Sequence, residues 1–314
     1  MKKFIFKRIL SVIPVLVIVS IVIFSVVHMT PGDPAATILG DEATPEDIAA
    51  LRTKMGLDKP IVEQYFVWIG NIFHGDFGMS VAGNETVANM LSSHWEPTIS
   101  LTIFAMIVSV CIAVPLGILA ARKKGTAVDS AVSAMSLMGI SFPSFLLGLF
   151  LMMVFAVKLK WLPVSGYKTM EDGLIPHIRS LILPGVALGF MHSALLMRMT
   201  KASMLEVLNS DYMKMAKAKG VREFFLVAKH ALRNALIPVI TTVGQSIVGA
   251  LAGAAVVEYM FAIPGMGQLM VNSIGRRDYY VIQAIVLIVA CINVLINLAV
   301  DLLYGAADPR VRLE

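Results

Sequence analysis

The chain has 314 residues, of which 57% are hydrophobic and 15% charged, and its mean hydropathy is +0.79. Soluble domains lie nearer half apolar and a quarter charged, so this is a polytopic membrane protein. The net charge of +5 is scattered over loops without interleaved aromatics, which argues against a nucleic-acid partner. The two cysteines, Cys111 and Cys291, both fall inside apolar runs, which leaves no disulfide framework and no thiolate metal site; they read as small, buried packing residues.

Lys2, Lys3, Lys7 and Arg8 precede a 20-residue apolar run, 9–28. A signal peptide has the same basic-then-apolar order, but this core is longer than usual. Thr30-Pro31-Gly32-Asp33-Pro34 also offers no Ala-x-Ala cleavage site, so 1–28 reads as a first transmembrane helix.

Residues 29–97 differ in kind, with ten acidic residues against Arg52, Lys54 and Lys59. Thr44-Pro45-Glu46-Asp47 predicts a helix start, with a capping Thr, Pro at the first position and acids in the first turn, and Gly56 closes it. A second helix is expected over 60–74, with Tyr65, Trp68, Ile69, Ile72 and Phe73 on one side. That stripe suits either an ordinary core or the membrane interface. A third helix, 84–95, leads into Pro97. The segment is expected to be a small helical insert outside the membrane.

Five further apolar spans follow at roughly 98–121, 130–157, 180–199, 232–257 and 281–304, each long enough for a hydrocarbon core of ~30 Å. Pro115, Pro143, Pro184 and Pro238 interrupt them, and neighbouring helices can accommodate such residues. Gly185-x-x-x-Gly189 and Gly249-x-x-x-Gly253 predict close helix packing. Six spans put both termini on one side. The segments 1–8, 122–129, 198–233 and 305–314 hold 17 Lys and Arg, against 9 in 29–97, 158–179 and 258–280. The richer set is expected in the cytosol. The loop with Lys158, Lys160, Lys168 and Arg179 runs against this trend.

One cytosolic stretch, 206–233, looks folded. Asp211 can cap a short helix, residues 212–219 favour helix, and Gly220 stands where a left-handed residue would end it. Tyr212, Met215, Ala216 and Lys219 share one face of that helix, with Lys214 and Lys217 on another. A second helix starts near Arg222 and runs into the fifth span. The stretch is either a solvated basic loop or an element that another protein grips.

Inside the spans lie His192, Gln245, Asn293, Asn297 and Asp301. Asn293, Asn297 and Asp301 recur at i, i+4 and i+8, a slowly drifting stripe that either bonds helices together or lines a solvated path, with Gln245 and the two asparagines as candidate path residues. A proton relay needs titratable partners on several helices, and none is readable. Nor is there a His-x-x-x-His, a Gly-x-Ser-x-Gly or a Walker A loop, so the chain has no visible means of hydrolysing ATP.

The 206–233 stretch resembles the cytoplasmic coupling loop of bacterial ABC importer permeases. In the slots of that family's Glu-Ala-Ala-x-x-x-Gly stand Lys214, Met215 and Ala216, then Gly220. Ala218-Lys219-Gly220 and the run from His230 to Leu236 are similar to the peptide and nickel branch. So, in chain order, are Pro31-Gly32-Asp33-Pro34, Met55-Gly56-Leu57-Asp58-Lys59-Pro60 with Gly75-Asp76-Phe77-Gly78, Glu258-Tyr259-Met260-Phe261 with Pro264-Gly265-Met266-Gly267, Arg277-Asp278-Tyr279, and Asp308-Pro309-Arg310.

The resemblance implies an all-α integral membrane protein with the six-helix type I ABC importer permease fold: helix 1–28, insert 29–97, core 98–304 with the coupling loop at 200–233, and tail 305–314. It implies the permease of the pair with the larger outer loop, in a bacterial cytoplasmic membrane. It implies a role as half the translocation path, most plainly for di- or oligopeptides, with nickel, a metal chelate or glutathione as alternatives. The partners implied are a second homologous permease, two cytoplasmic ATPase subunits carrying ATP and magnesium, an extracytoplasmic binding protein and membrane lipid. No cofactor, metal or catalytic residue is expected in this subunit. Asp211, Tyr212, Met215, Ala216, Lys219, Gly220 and Arg222 would carry the ATPase coupling. A proton-coupled secondary transporter or channel is the reading from another class, and it lacks the internal repeats or carboxylate relay it would need.

Overall fold

In the computed structural model, residues 2–29, 34–39, 43–54, 56–80 and 85–307 are described, and these are helical apart from turns and a single antiparallel bridge between Met79 and Thr86. Pro31-Gly32-Asp33, Met55, Asn84 and Asp308-Pro309-Arg310 lie outside the described residues. In order the helices are α1 Lys2–Met29, α2 Pro34–Leu39, α3 Pro45–Lys54, α4 Ile61–Phe73, α5 Val87–Arg122, α6 Ala127–Ser141 and α7 Ser144–Leu151, which continues as a π turn, Met152–Lys158. After a short 3-10 turn, Met170–Asp172, come α8 Leu174–Leu208, α9 Asp211–Ala218, α10 Glu223–Phe225 with a π turn Leu226–Ala231, α11 Leu232–Phe261, α12 Met266–Arg276 and α13 Tyr279–Ala307.

Five helices are long and apolar enough to cross a membrane, and the count is six if α6 and α7 are taken as one broken span. That pair bends by 102°, within the span expected over 130–157 and at the proline expected to interrupt it. The cause is Pro143. It has no N–H for the helix ladder and forces the residue before it out of helical geometry, and Phe142 accordingly sits at ψ 117°. Pro97 shows the opposite outcome. The separate helix expected over 84–95 does not end there, because α5 passes through both Pro97 and Pro115 as one element.

The chain divides into two compact units. One comprises Pro97–Pro264 and Leu295–Glu314. Its centre is α8, on which small residues admit neighbouring helices. Gly185 meets Phe104, and Gly189 meets the Ala105 carbonyl and Val108, all on α5. Gly139 of α6 meets Ala194, and Gly249 and Gly253 of α11 face His192 and Leu188. Both Gly-x-x-x-Gly pairs therefore lie at helix contacts, where a missing Cβ lets backbones approach. Leu101, Leu181, Leu188, Val257 and Ile263 fill the core between these helices. Thr98 Oγ1 donates to Glu258 Oε1 at 2.6 Å, tying α5 to a carboxylate with no exposed surface. On α5 an outward stripe, Ile103, Ile107 and Cys111, stays bare. The expectation of two buried cysteines is thus corrected: Cys111 is exposed, and Cys291 is half-buried.

The other unit comprises Lys2–Glu96 and Gly265–Val294. Here α4 packs on α1 through Tyr65 and Trp68, whose ring centroids lie 5.4 and 5.5 Å from Phe24, and through a 2.8 Å bond between Tyr65 OH and Ser20 Oγ. Elsewhere on α4, Val62, Phe66 and Phe73 are exposed. Thr44 caps α3 as its sequence predicts, with Asp47 N–H donating to Thr44 Oγ1 at 3.2 Å. A second core joins Val87 and Leu91 to Met266, Leu269, Val281 and Ile285. Ser80 Oγ donates to the buried Asp278 at 2.5 Å, anchoring the loop before α5 to the start of α13.

Candidate functional site

The residues singled out in the 206–233 stretch form one structure at the end of α8. The chain leaves α8 at Asn209 and turns, and Ser210 takes the extended N-cap conformation (φ −68°, ψ 152°), with Asp211 as the first helical residue. The cap is thus one residue earlier than expected. Asp211 instead places a negative charge in the first turn, where the helix dipole favours it, and pairs with Lys214 at 2.8 Å.

At the other end Gly220 N–H donates to the Lys217 carbonyl at 3.0 Å and Val221 N–H to the Ala216 carbonyl at 3.4 Å. This is a Schellman closure, and it requires the left-handed φ of +78° that Gly220 adopts. Val221 and Ala216, the two residues bracketing the closure, pack on the same apolar cluster. Arg222 then caps the following helix at φ −58° and ψ 139°.

The side of α9 that packs inward rests on a residue the sequence did not single out. Met213, 1% exposed, points inward. It packs with Met204 of α8, Ala121 of α5, and Leu226, Val227, Ala231 and Ala235 of the helix that follows. Of the expected face, Ala216 joins that cluster at its edge, while Tyr212, Met215 and Lys219 are exposed. Tyr212 is nevertheless held: Asn234 Nδ2 donates to its hydroxyl at 2.7 Å, and the hydroxyl donates to the His230 carbonyl at 3.2 Å. That carbonyl belongs to the π turn leading into α11. A short helix is thereby fixed from both sides, by an apolar anchor and by a phenol clamp.

Arg122, the last residue of α5, donates to Glu223 at 2.7 Å across the same region. The hydrogen bond, then the charge, of Arg122 holds the Glu223 carboxyl below its ordinary value. A depressed acid contributes at neutral pH and loses that contribution as pH falls through its folded value, so acid, not base, releases the link. Both side chains are well exposed, so the pair steers geometry more than it stabilises.

Sequence reasoning singled out Asp211, Tyr212, Met215, Ala216, Lys219, Gly220 and Arg222, and the structure gathers all seven into this one element. It missed Met213, Asn234 and the Arg122–Glu223 pair. For Asn234 a signal existed, its place in the His230 to Leu236 run that carries the family resemblance. For Met213 none did, because one more methionine in a chain with 20 stands out by nothing.

The candidate path residues are less gathered. Gln245 and Asn297 are exposed, and Gly244 of α11 meets Val300 of α13 beside them. Asn293 is half-buried, with its Oδ1 shielded and without a hydrogen-bond partner. His192 Nε2 and Ser246 Oγ are likewise buried and unpartnered between packed spans. Among the described residues no group of His, Cys, Asp and Glu is placed to hold a metal.

The chain matches the family described as "Binding-protein-dependent transport system inner membrane component" over residues 113–313, and the N-terminal counterpart of that family over residues 1–102. It is 42% identical over 309 residues to "Probable peptide ABC transporter permease protein y4tP" of Sinorhizobium fredii, covering 98% of this chain and 99% of that one. It is 43% identical over 314 residues, the full length of both, to "Glutathione transport system permease protein GsiC" of Shigella flexneri and of Escherichia coli strain K12. Among solved structures it is similar to the MetNI methionine ABC transporter in inward-facing conformations. The TM-score is 0.58 at 19% identity, over 70% of this chain and 96% of that one, so this likeness concerns the fold. Five apolar spanning helices and a broken sixth, a short clamped helix at the end of α8, and matches along nearly the whole sequence agree: the chain belongs to the inner-membrane permease family of binding-protein-dependent ABC importers.

Proposed function

We propose that this chain forms half of the translocation path of an ATP-driven peptide importer, and that α9 is the element on which a cytosolic ATPase subunit acts. The observation that carries the reading is the two-sidedness of α9. Tyr212, Met215 and Lys219 face outward, while Met213 and Ala216 are packed among α5, α8 and α11. Force applied to the outer side therefore reaches three helices through direct contact, which is the physical link that coupling needs. The partners of the reading are a second, similar permease, two ATPase subunits that bind ATP and magnesium, and an external binding protein. This subunit itself takes no part in hydrolysis. The names of its relatives support a peptide cargo, since glutathione is itself a tripeptide. Gln245, Asn293 and Asn297 are the side chains assigned to the path, with replacement of both asparagines by Leu expected to stop transport in an assembled complex.

The coupling assignment is tested by crosslinking in a chain with Cys111 and Cys291 replaced. A cysteine at Met215 should capture the ATPase subunit in the working complex, and one at the buried Met213 should not. No capture from Tyr212, Met215 or Lys219 in a complex that transports would overturn the assignment. Mass spectrometry of the ligand on the partner binding protein decides the cargo separately.

A further inference from the structure

The 158–179 loop carries Lys158, Lys160, Lys168 and Arg179, the bases that run against the charge asymmetry of the other loops. The fold gives them a purpose. Between the π turn that ends the broken span and the first turn of α8 lies a cavity of about 540 Å³, lined among others by Lys160, Trp161, Tyr167, Lys168, Ile175 and Arg179. Its walls are built. Arg179 Nη2 donates to the Trp161 carbonyl at 2.7 Å, Gly166 N–H donates to the Phe261 carbonyl at 2.8 Å, and His177 Nδ1 bonds the Lys168 carbonyl at 2.7 Å. Lys160 holds a left-handed φ of +56°, a conformation a lysine adopts only where its surroundings impose it. The nearest acid, Asp172, meets Lys168 only at 3.9 Å, with both side chains largely exposed.

We infer that this cavity binds the headgroup of an anionic phospholipid. The charge complement is a phosphate diester: two lysines and an arginine line one space. Such a phosphate could also come from a soluble ester, and the rim decides between them. Trp161 is 61% exposed and Ile175 71%, with Leu174 beside it equally bare. These residues sit where two membrane-crossing segments end, the level at which indole rings and cation-bearing side chains meet lipid headgroups. A soluble ligand gives no reason for an apolar lip, whereas acyl chains running down from a bound headgroup do.

The test uses the complete importer in nanodiscs of phosphatidylcholine with a minor share of phosphatidylglycerol, followed by native mass spectrometry of retained lipid. Lys160→Asn suits the left-handed backbone, and Lys168→Gln keeps the backbone bonds of that residue, so the double variant should fold. At roughly fivefold in affinity per juxtamembrane cation, it should retain about thirtyfold less phosphatidylglycerol, with phosphatidylcholine retention unchanged. Equal retention by wild type and double variant would overturn the inference. Displacement of the lipid from wild type by millimolar glycerol phosphate would assign the cavity to a soluble anion instead. Loss of binding-protein affinity with lipid retention intact would assign it to a protein partner.

Discussion

Gly220 is the residue on which the shape of α9 turns. Its φ of +78° closes the helix, and a Cβ there would meet nothing within 4 Å, so any penalty for a larger residue is purely conformational. Valine in that conformation costs about 1–3 kcal/mol, enough to make the helix end elsewhere and present a different face. Gly220→Val should leave the protein inserted in the membrane and abolish ATP-driven uptake. Gly220→Asn, which tolerates the left-handed region, should retain most of it. Membrane-fraction yield and a transport assay on both variants decide this, and full transport by the valine variant would remove the closure from the mechanism.

At the scale of elements, helix contact rather than composition sets the outcome. A Cβ on Gly189 would lie 2.4 Å from the Ala105 carbonyl oxygen, a backbone atom that cannot swing aside. Gly189→Ala should therefore push α5 from α8 and lower the thermal midpoint of the purified protein by several degrees, in proportion to a loss of about 2 kcal/mol. Gly275→Ala, in α12 with open space around it, should raise stability slightly, by about 0.5–1 kcal/mol.

The same contrast explains how much was legible beforehand. Span positions, the glycine contacts and the ends of α9 follow from local chemistry: apolar length, missing Cβ atoms, a left-handed glycine after a helix-forming run. The inward direction of α9 does not. Tyr212, Met215, Ala216 and Lys219 share a face in any ideal helix, but that the cluster around Met204 and Leu226 takes in Met213 is a choice made by residues distant in sequence. Prolines are ambiguous for a related reason. Pro143 breaks its span and Pro97 does not, although both offer the same local defect.

For the whole molecule, the basic asymmetry of 17 against 9 predicts an orientation, with Lys123 and Lys217 toward the cytosol and Asp47 and Glu171 outside. Single cysteines at these positions, in a chain without Cys111 and Cys291, should react with an impermeant reagent on intact cells at 47 and 171 alone. Reaction at 217 but not 47 would invert the topology. The 35 residues of α8 carry a further consequence. At 1.5 Å per residue this helix is about 52 Å long, against a hydrocarbon core of ~30 Å. Such a rod meets changes in bilayer thickness by leaning. One of its ends borders the basic cavity and the other is packed against α9, so, on the coupling role proposed for α9, its lean should act as a lever between the leaflet and that helix. Reconstituted in short-chain and then long-chain phosphatidylcholine, the importer should couple hydrolysis to uptake with different efficiency, and crosslinking from position 215 should change in step. Constant coupling across that series would mean that the rod stands fixed whatever surrounds it.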